Sequence, residues 1–568
     1  MRWTWLLSLS ILVIGITACA TPQAAPGSES TQKEASQQSM SALDTFKAKS
    51  NLVCTPGSEH WRNSGTPIRG GTFTKASVAS QTNAGLDTSL PGGGHTAVQV
   101  YEHLVETRAC YYEDSVMVPG LAKSWTTSAD GLTWTLNLEP TAKWHDLPPV
   151  NGRAFTSADV AWMIEHQIAV GQLKSTWAPI KHEEPNANTI ILKLPAPDPD
   201  FLGNVLGERN NVMMPREVQE QYKDFKTVAI GTGPYQLDKF QNNVTLNLVR
   251  TPNWRQNGVD GKPLPYIDKV EFPYFGDYAG ELAAFRSGQL DLNQTLGYQK
   301  RDYEALTQQN PKLKGYLDLA PIPRGLWMNL KQKPFDDINV RKALFYATNS
   351  DEIVALGFSG GAVRTGFLPT AIAQYAWPVD KVQELFKQDI PKAKEYLAKA
   401  GYDTTKRLSF TMNNGSVPSD QGGEVQQAQA KAIGIDITIN TIQGNATPPN
   451  YLQPKDQATW SGVSPASIFP DRWMGGFLRC GDSRNFTGLC DDEVDKLSLA
   501  QSRELDPAKR KVTLDQLQQR LFDLTPWVPQ LSLVYYRLYS CRVKNMPSTD
   551  YQQSLTGVAS AWLDPKGC

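Results

Sequence analysis

The chain has 568 residues, of which 40% are hydrophobic and 20% are charged. At about 150 residues per domain, this length corresponds to roughly three to four domain-sized units with a large buried core. The 56 Lys and Arg residues nearly balance the 57 Asp and Glu residues, which excludes a protein that binds nucleic acid through a large basic excess. The apolar fraction excludes a wholly disordered chain, and the Gly and Pro content is too low for a collagen-like repeat.

The N-terminus has the features of an export signal. Arg2 precedes an apolar run of about 12 residues, which is too short to span a bilayer. Small residues come directly before Cys19, a pattern that resembles the cleavage site of bacterial lipoproteins. We therefore predict a signal peptide over residues 1–18 and lipidation of Cys19, which would anchor the exported protein at the outer face of the cytoplasmic membrane, in the periplasmic space. An ordinary signal peptide cleaved after Ala18 or Ala20 is the alternative.

Residues 19–66 are predicted to form a flexible tether. The segment is rich in Ala, Ser, Gln, Thr and Pro and has no hydrophobic period of a strand or a helix. A flexible chain of this length has an rms reach of roughly 40 Å. No later stretch of the sequence has the length and apolarity of a membrane-spanning helix.

From Gly70 onwards the sequence predicts alternating strands and helices. Hydrophobic residues recur at every second position at 131–139 and at 244–250, and a further strand is predicted at 188–194. Thr156 is a suitable N-cap, and Asp159 lies in the first turn of the helix that it would begin.

The second half contains a helix with clear ends. Asp389 can cap it, Pro391 lies in its first turn, and Gly401 ends it. The elements predicted after it are a strand at 407–413, a helix at 424–433, a strand at 435–442, helices at about 491–503 and 507–524, and a strand at about 531–540. A strand–helix–strand unit places parallel strands in one sheet, so we predict an α/β fold with at least two lobes.

Cysteine usage agrees with export. Six cysteines remain once Cys19 is set aside, and an even number in an exported protein is compatible with three disulfides, although 15 pairings are possible. Two pairs are proposed from their positions and the third follows by elimination: Cys480–Cys490 around a short polar loop, Cys541–Cys568 at the C-terminus, and Cys54–Cys110. Zinc ligation is disfavoured because the sequence has no CxxC motif and no histidine near these cysteines.

One catalytic motif occurs literally, as Gly357-Phe358-Ser359-Gly360-Gly361 matches the G-x-S-x-G pattern of serine hydrolases. That motif requires a strand before the serine, a helix after it and a histidine later in the chain. Here a helical pattern precedes Ser359, a loop follows it, and all six histidines come earlier. Metal-binding and phosphate-binding motifs are absent from the sequence as well. We therefore predict a protein that is not an enzyme, with no metal and no cofactor, and keep an exported hydrolase using Ser359 as the alternative.

Five segments, in order, resemble the extracellular solute-binding proteins of bacterial ABC importers, family 5, which include the oligopeptide, dipeptide and nickel binders. The segments are VPGLAKSWTTSADGLTWTLNLEPTAKWHD followed by FTSADVAW, then GTGPY at 231–235, PFDDINVRKALFYATNSDEIV, AKEYLAKAGY, and NFTGLCDDEVDKL. The first segment departs from the family pattern by the insertion LPPVN after His145-Asp146. Together the matches run from about Ile68 to Tyr539, nearly the whole body of the chain.

The resemblance implies a two-lobe periplasmic-binding-protein fold of type II, with an extra subdomain in lobe I. Lobe I would comprise residues 67–323, with the inserted subdomain at about 106–224, and residues 530–568 would return to it. Lobe II would comprise residues 324–529. Two hinge strands, near 319–330 and 530–539, would join the lobes, and a solute would be enclosed between them by hinge closure. The implied partners are the permease subunits of an ABC importer, and the protein is expected to be a monomer.

The resemblance also points to residues that would contact the solute. They are Ser80, Gln81, Thr82 and Asn83 in lobe I, and Trp327, Asn329, Trp460, Ser461, Gly462 and Asp471 in lobe II. Both tryptophans have a competing interpretation as core residues, since Trp is highly buried on average.

The class of solute stays open. In the peptide binders of this family, an Asp just after a Trp-containing strand of lobe II anchors the ammonium group of the peptide. The corresponding stretch here, 458–464, contains no acid, and Asp471 lies eleven residues after Trp460 as a candidate substitute. We therefore expect a small solute, with oligopeptides, sugars and other neutral compounds as candidates.

Overall fold

The computed structural model describes most of the body of the chain. The residues described are 65–78, 84–90, 99–108, 116–208, 210–293, 299–403, 405–415, 421–442, 454–462, 467–482, 484–546 and 557–567. Several predicted features lie outside them, namely the signal peptide, the lipidation site Cys19, almost all of the tether, Cys54, Cys110, Cys568, and the candidate solute contacts Ser80, Gln81, Thr82 and Asn83. Within the described residues, no helix combines the length and apolarity that crossing a membrane requires.

Lobe I contains a five-stranded sheet and two smaller β units. The five-stranded sheet has the order β1-β11-β10-β9, with β2 beside β11. Its strands are β1 (Thr72–Thr74), β2 (Ser77–Val78), β9 (Tyr235–Gln241), β10 (Thr245–Arg250) and β11 (Lys269–Phe275). Strand β10 begins one residue later than predicted, because Asn243 has a φ of 58° in the turn that precedes it and Val244 is exposed there. Leu246 and Leu248 are buried on one face, as the alternation predicts.

The predicted insertion in lobe I holds a four-stranded antiparallel sheet of order β5-β6-β8-β7. These strands are β5 (Ala122–Thr127), β6 (Thr133–Leu138), β7 (Lys181–Asn186) and β8 (Thr189–Lys193), and a hairpin of β3 (Val105–Arg108) and β4 (Val116–Pro119) precedes them. Helix α1 (Ser157–Val170) starts where predicted, since the backbone N–H of Thr156 donates to Asp159 Oδ2 at 2.8 Å. The remaining helices of lobe I are α2 (Lys174–Trp177), α3 (Arg216–Tyr222), α4 (Tyr278–Arg286), α5 (Lys300–Gln309) and a π-helical turn at Leu202–Leu206.

Lobe II is built on a six-stranded sheet of order β13-β17-β12-β16-β14-β15. The strands are β12 (Lys314–Met328), β13 (Ala362–Arg364), β14 (Leu408–Gly415), β15 (Ile435–Ile442), β16 (Ala458–Gly462) and β17 (Trp527–Tyr539). β14 pairs in parallel with both β15 and β16, and the helix between β14 and β15 completes the predicted strand–helix–strand unit. A two-stranded antiparallel sheet follows in the C-terminal part, formed by β18 (Val543–Lys544) and β19 (Trp562–Leu563).

Helices and two short helical turns surround the sheet of lobe II. They are α6 (Ile338–Ala347), α7 (Ser350–Glu352), a π-helical turn at Ile353–Gly357, α8 (Val379–Leu385), α9 (Ile390–Lys399), α10 (Gly422–Lys431), α11 (Pro470–Met474), α12 (Asp492–Gln501) and α13 (Pro507–Leu524), and α14 (Gly557–Ser560) follows in the C-terminal tail. Helix α9 has the ends that its sequence predicts: Asp389 accepts from the backbone N–H of Lys392, and Gly401 follows with a φ of 80°. Its apolar stripe, including buried Ala393 and Leu397, packs into the core of lobe II.

Two antiparallel strands connect the lobes. β12 and β17 pair from Lys314↔Tyr539 to Trp327↔Trp527, and β17 begins four residues earlier than predicted. Tyr539 also bridges to Leu292, so the far end of the pair lies in lobe I. The pairing is irregular between Leu319 and Pro323, where Pro321 and Pro323 cannot donate ladder hydrogen bonds.

The disulfide prediction is confirmed for one pair. Cys480 and Cys490 are bonded, with a Cα–Cα distance of 4.6 Å, and they close the loop that leads into α12. Cys541 is also disulfide-bonded. The pairs Cys541–Cys568 and Cys54–Cys110 stay predictions.

Candidate functional site: the junction between the lobes

Trp460 of β16 is completely buried inside lobe II. Its indole Nε1–H donates to Oε1 of Gln530 on β17 at 2.9 Å, and Phe358 stacks on its ring at a centroid distance of 6.0 Å. A Cβ built on Gly422, the first residue of α10, would lie 2.2 Å from the Trp460 ring, so the helix packs directly against the indole. Trp460 therefore has the surroundings of a core residue in this conformation, and its contact with a solute stays a prediction.

Trp327 lies on the next strand, β12, and is 3% exposed. Its ring stacks on Trp527 at 4.8 Å with an interplanar angle of 14°, and its Nε1–H donates to the carbonyl of Ser461 at 3.2 Å. Trp327 and Trp527 are cross-strand partners, which places both rings on one face of the sheet. The pair holds β12, β16 and β17 together at their lobe II ends.

Asn329 positions the loop that leads into β16. Its Nδ2 donates to the carbonyl of Asp456 at 2.9 Å, and its Oδ1 accepts from the backbone N–H of Lys331 at 3.1 Å. Both polar ends of the side chain are therefore engaged by the protein itself. Its predicted role in solute contact is untested, and the role visible here is to fix the start of the strand that carries Trp460.

Two buried serine hydroxyls lie on the strands that flank β12 in the lobe II sheet, at residues paired with Gly325 and Pro323. Ser461 Oγ on β16 and Ser532 Oγ on β17 have no hydrogen-bond partner among the residues that the structure describes. Gly462, which follows Ser461, is packed closely, since a Cβ there would meet Ile322 at 2.9 Å and Arg324 at 3.1 Å. A buried hydroxyl without a hydrogen-bond partner is energetically unfavourable. These two hydroxyls are therefore suited to donate a hydrogen bond to an enclosed polar molecule or to accept one from it.

Asp471 lies in the first turn of α11 and takes part in the contact between the lobes. Its Oδ1 accepts from Gln501 Nε2 at 2.8 Å and from Arg479 Nη2 at 3.3 Å, while its backbone N–H points to Asp200 Oδ2 of lobe I at 3.3 Å. Burial raises the pKa of Asp471, and the nearby Arg479 opposes that effect. Asp471 is thus bonded within the protein, and its use as a substitute anchor for an ammonium group stays a prediction.

A buried ion pair between the lobes was not predicted from the sequence. Arg510 of α13 forms a two-point ion pair with Asp200 of lobe I, with both N–O distances at 2.6 Å and side chains that are 2% and 5% exposed. One signal was available, because Arg510 occupies the first position of a buried stripe that continues with Leu514, Leu517 and Leu521. A charged residue in such a stripe requires a buried partner of opposite charge.

The elements around Ser359 stand in the opposite order to those around a hydrolase nucleophile. It follows the helical turn Ile353–Gly357, has a φ of 51°, and precedes strand β13. A nucleophile elbow needs the order strand, serine, helix. The interpretation of this segment as a Gly-rich loop after a helix is therefore confirmed.

Comparison with known proteins agrees with this architecture. The family model described as "Bacterial extracellular solute-binding proteins, family 5 Middle" matches residues 116–485. The glutathione-binding protein GsiB of Escherichia coli O6:K15:H31 is 26% identical over 445 residues, a match that covers 75% of this chain and 82% of that protein. GsiB of Salmonella typhi is similar to the same extent.

Solved structures share the fold. The Helicobacter pylori periplasmic binding protein DppA, in complex with peptide STSA, superposes with a TM-score of 0.74 at 22% identity, covering 87% of this chain and 98% of that one. The oligopeptide-binding protein AppA of Bacillus subtilis, in complex with a nonapeptide, has a TM-score of 0.72 at 20% identity, covering 88% and 100%. NikZ of Campylobacter jejuni, in complex with Ni(L-His), has a TM-score of 0.68 at 19% identity, covering 85% and 98%. The predicted two-lobe α/β fold is thereby confirmed.

Proposed function

The chain belongs to the bacterial extracellular solute-binding proteins of family 5, and we propose that it captures a small peptide-like solute between its lobes and delivers it to the permease of an ABC importer. The observation that carries the proposal is the paired crossing of β12 and β17 together with a second, buried contact between the lobes at Asp200 and Arg510. Two lobes that are joined by strands and touch again through side chains can enclose a solute by hinge motion.

The proposed mode of recognition is hydrogen bonding to the solute backbone. Relatives bind glutathione and short peptides, which supports a peptide-like ligand. The buried hydroxyls of Ser461 and Ser532 supply hydrogen-bonding atoms on the two strands that flank β12. The junction carboxylates Asp200 and Asp471 both bond to arginines, so the proposal assigns neither of them to the ammonium group of a peptide.

A thermal-shift titration tests this proposal. A ligand that binds only the native state, at a concentration of 100 times its dissociation constant, raises the free energy of unfolding by about 2.7 kcal/mol. The probes are the tetrapeptide STSA, glutathione and N-acetylated STSA. We expect STSA and its N-acetylated form to raise Tm to a similar extent, because the proposed site does not use the ammonium group. A shift with free STSA alone would contradict the proposed recognition, and no shift with any of the three would contradict a peptide-like solute.

The proposal places the protein at the membrane through Cys19. Lipid on this residue would hold the body near the permease, and the polar tether of residues 19–66 gives it a reach of roughly 40 Å. Cys19→Ser cannot form the thioether and should release the protein from the membrane fraction, whereas wild type should stay with the membranes. Complete retention of the variant would contradict the lipid anchor.

The proposal includes a monomer with no catalytic activity. Size-exclusion chromatography with light scattering should give the mass of one chain. Incubation with a peptide that raises Tm should return the peptide intact, and Ser359→Ala should leave the thermal shift unchanged. Cleavage of the peptide that disappears in Ser359→Ala would support the alternative, an exported hydrolase.

A further inference from the structure

A charged network connects lobe I to lobe II away from the hinge strands. Asp200 precedes the π-helical turn Leu202–Leu206 of lobe I, and Arg510 lies in the first turn of α13 in lobe II, 310 residues later. Their two short hydrogen bonds are parallel and almost completely buried. A two-point arginine–carboxylate pair of this kind fixes orientation as well as distance.

The network extends from the ion pair into lobe II. Gln501 of α12 accepts from Arg510 Nη2 at 3.1 Å and donates to Asp471 at 2.8 Å. Asp471 in turn directs its backbone N–H towards Asp200 Oδ2 at 3.3 Å and accepts from Arg479. Asp200 is thus held by two different elements of lobe II, α11 and α13.

Close packing surrounds this network and depends on both lobes. A Cβ on Gly203 of lobe I would lie 1.8 Å from the ring of Phe469 in lobe II, so a glycine is needed for the lobes to approach this closely. Next to it, Ser467 Oγ donates to Asn204 Oδ1 at 3.2 Å, and Arg472 pairs with Glu208 at 3.4 Å. The two surfaces are therefore complementary in both shape and hydrogen bonding.

The electrostatic free energy of the Asp200–Arg510 pair differs between an open and a closed arrangement of the lobes. When the lobes separate, water solvates Asp200 and Arg510, so opening has a modest electrostatic penalty. When only one partner is removed, the closed state retains an uncompensated buried charge, and breaking a buried pair in this way is strongly unfavourable. The effect of such a substitution therefore falls on the closed state and leaves the open state nearly unchanged.

We propose that the Asp200–Arg510 pair is a latch that sets the balance between open and closed lobes, separately from the residues that contact solute. Trp327 and Trp460 make their hydrogen bonds within lobe II and in the return strand, so the latch pair is distinct from these two predicted solute contacts, whereas Asp471, another predicted contact, bonds to Asp200 through its backbone N–H. Apparent affinity equals the affinity of the closed form weighted by its population, and the latch therefore tunes affinity without touching the solute. This consequence rests on the proposed function, whereas the closure itself is measured without solute.

The test measures the separation of the lobes in the solute-free protein by single-molecule energy transfer. Dyes are attached at Val170→Cys in lobe I and Leu356→Cys in lobe II, since these side chains are 57% and 60% exposed. Arg510→Gln should lower the ratio of closed to open molecules at least roughly tenfold, because the variant leaves Asp200 buried and unpaired in the closed state. Asp200→Asn, which lies in a loop and leaves the helices of lobe II intact, should act in the same direction and serves as the second variant if Arg510→Gln does not fold.

The matched control is Arg407→Gln. Arg407 also forms a two-point pair, with Asp436, but both residues belong to lobe II and are 37% and 46% exposed. This variant should leave the energy-transfer distribution unchanged. The latch would be overturned if folded Arg510→Gln or Asp200→Asn gave the same energy-transfer distribution as wild type. It would also be overturned if the Arg407→Gln control shifted the distribution as much as these variants do.

Discussion

Replacement of Trp460 by Ala distinguishes two interpretations of this residue, as part of the core of lobe II or as a contact for the solute. The indole is 0% exposed, bonds to Gln530 and packs against Phe358 and the start of α10. Truncation should leave a cavity inside lobe II and deprive Gln530 of its donor, and a buried Trp→Ala change costs about 3–5 kcal/mol. For a unit of about 200 residues, each kcal/mol lowers Tm by about 2–4 °C, so we expect a fall of about 6–20 °C.

The assay is thermal unfolding of the solute-free protein followed by circular dichroism. Trp460→Phe keeps most of the ring volume and loses only the N–H, so it should be destabilised by about 1–3 kcal/mol, less than the alanine variant. Leu356→Ala, at a side chain that is 60% exposed in the same lobe, controls for truncation alone and should change Tm little. A Tm within 2 °C of wild type for Trp460→Ala, combined with loss of the STSA or glutathione shift, would refute the core assignment and place the indole in an open cleft.

Three further predictions concern pH, the disulfide and the end of a helix. Burial, together with Asp200 and Asp471, raises the pKa of Asp198 to about 7, so the native state binds more protons than the unfolded chain from about pH 4 to pH 7. The stability contribution of this group therefore falls as pH rises from about 4 to about 7 and stays nearly constant above the folded pKa. Asp198→Asn should reduce the decline of Tm between about pH 5 and pH 7, and an unchanged decline would contradict the assignment. Replacing both Cys480 and Cys490 by Ser should lower the free energy of unfolding by about 2–3 kcal/mol in the chain-entropy model, measured in urea, and a variant as stable as wild type would show that the loop is already ordered without the bond. Arg341 donates to the carbonyls of Leu524 and Thr525 at the C-terminal end of α13 and to the carbonyl of Phe335 just before α6, so Arg341→Met should cost about 1–3 kcal/mol by leaving these carbonyls unsatisfied, whereas an unchanged urea midpoint would show that water replaces the guanidinium.

Much of the fold was predictable because its signals are local. The alternation of Trp134, Leu136 and Leu138 predicts a strand with one buried face, and all three side chains are buried on β6. The order of elements from 407 to 442 predicts the parallel part of the lobe II sheet, which β14 and β15 form. The boundaries were less predictable: β17 starts at Trp527 and not at Leu531, because its first residues pair with β12 across the sheet.

The candidate site was predictable only in part. The resemblance selected Trp327, Ser461 and Trp460 as solute contacts, and the structure places them on two paired strands, β12 and β16. Which of these groups has its polar atoms engaged could not be read from the sequence. Asn329 bonds to the loop before β16, whereas the hydroxyl of Ser461 has no partner within the described part of the chain, and that difference depends on the packing of segments more than a hundred residues apart.

The sequence by itself determined the elements that depend on interactions between residues close together in the chain. Asp389, Pro391 and Gly401 define helix α9 because a capping carboxylate, a proline in the first turn and a glycine at positive φ act through the adjacent backbone. Only the tertiary structure decided that Arg510 of lobe II meets Asp200 of lobe I. That contact depends on the path of β12 and β17 between the lobes. The partner of the buried Arg510 guanidinium is the carboxylate that lies next to it in the folded protein, and no hydrophobic pattern along the chain predicts which carboxylate that is.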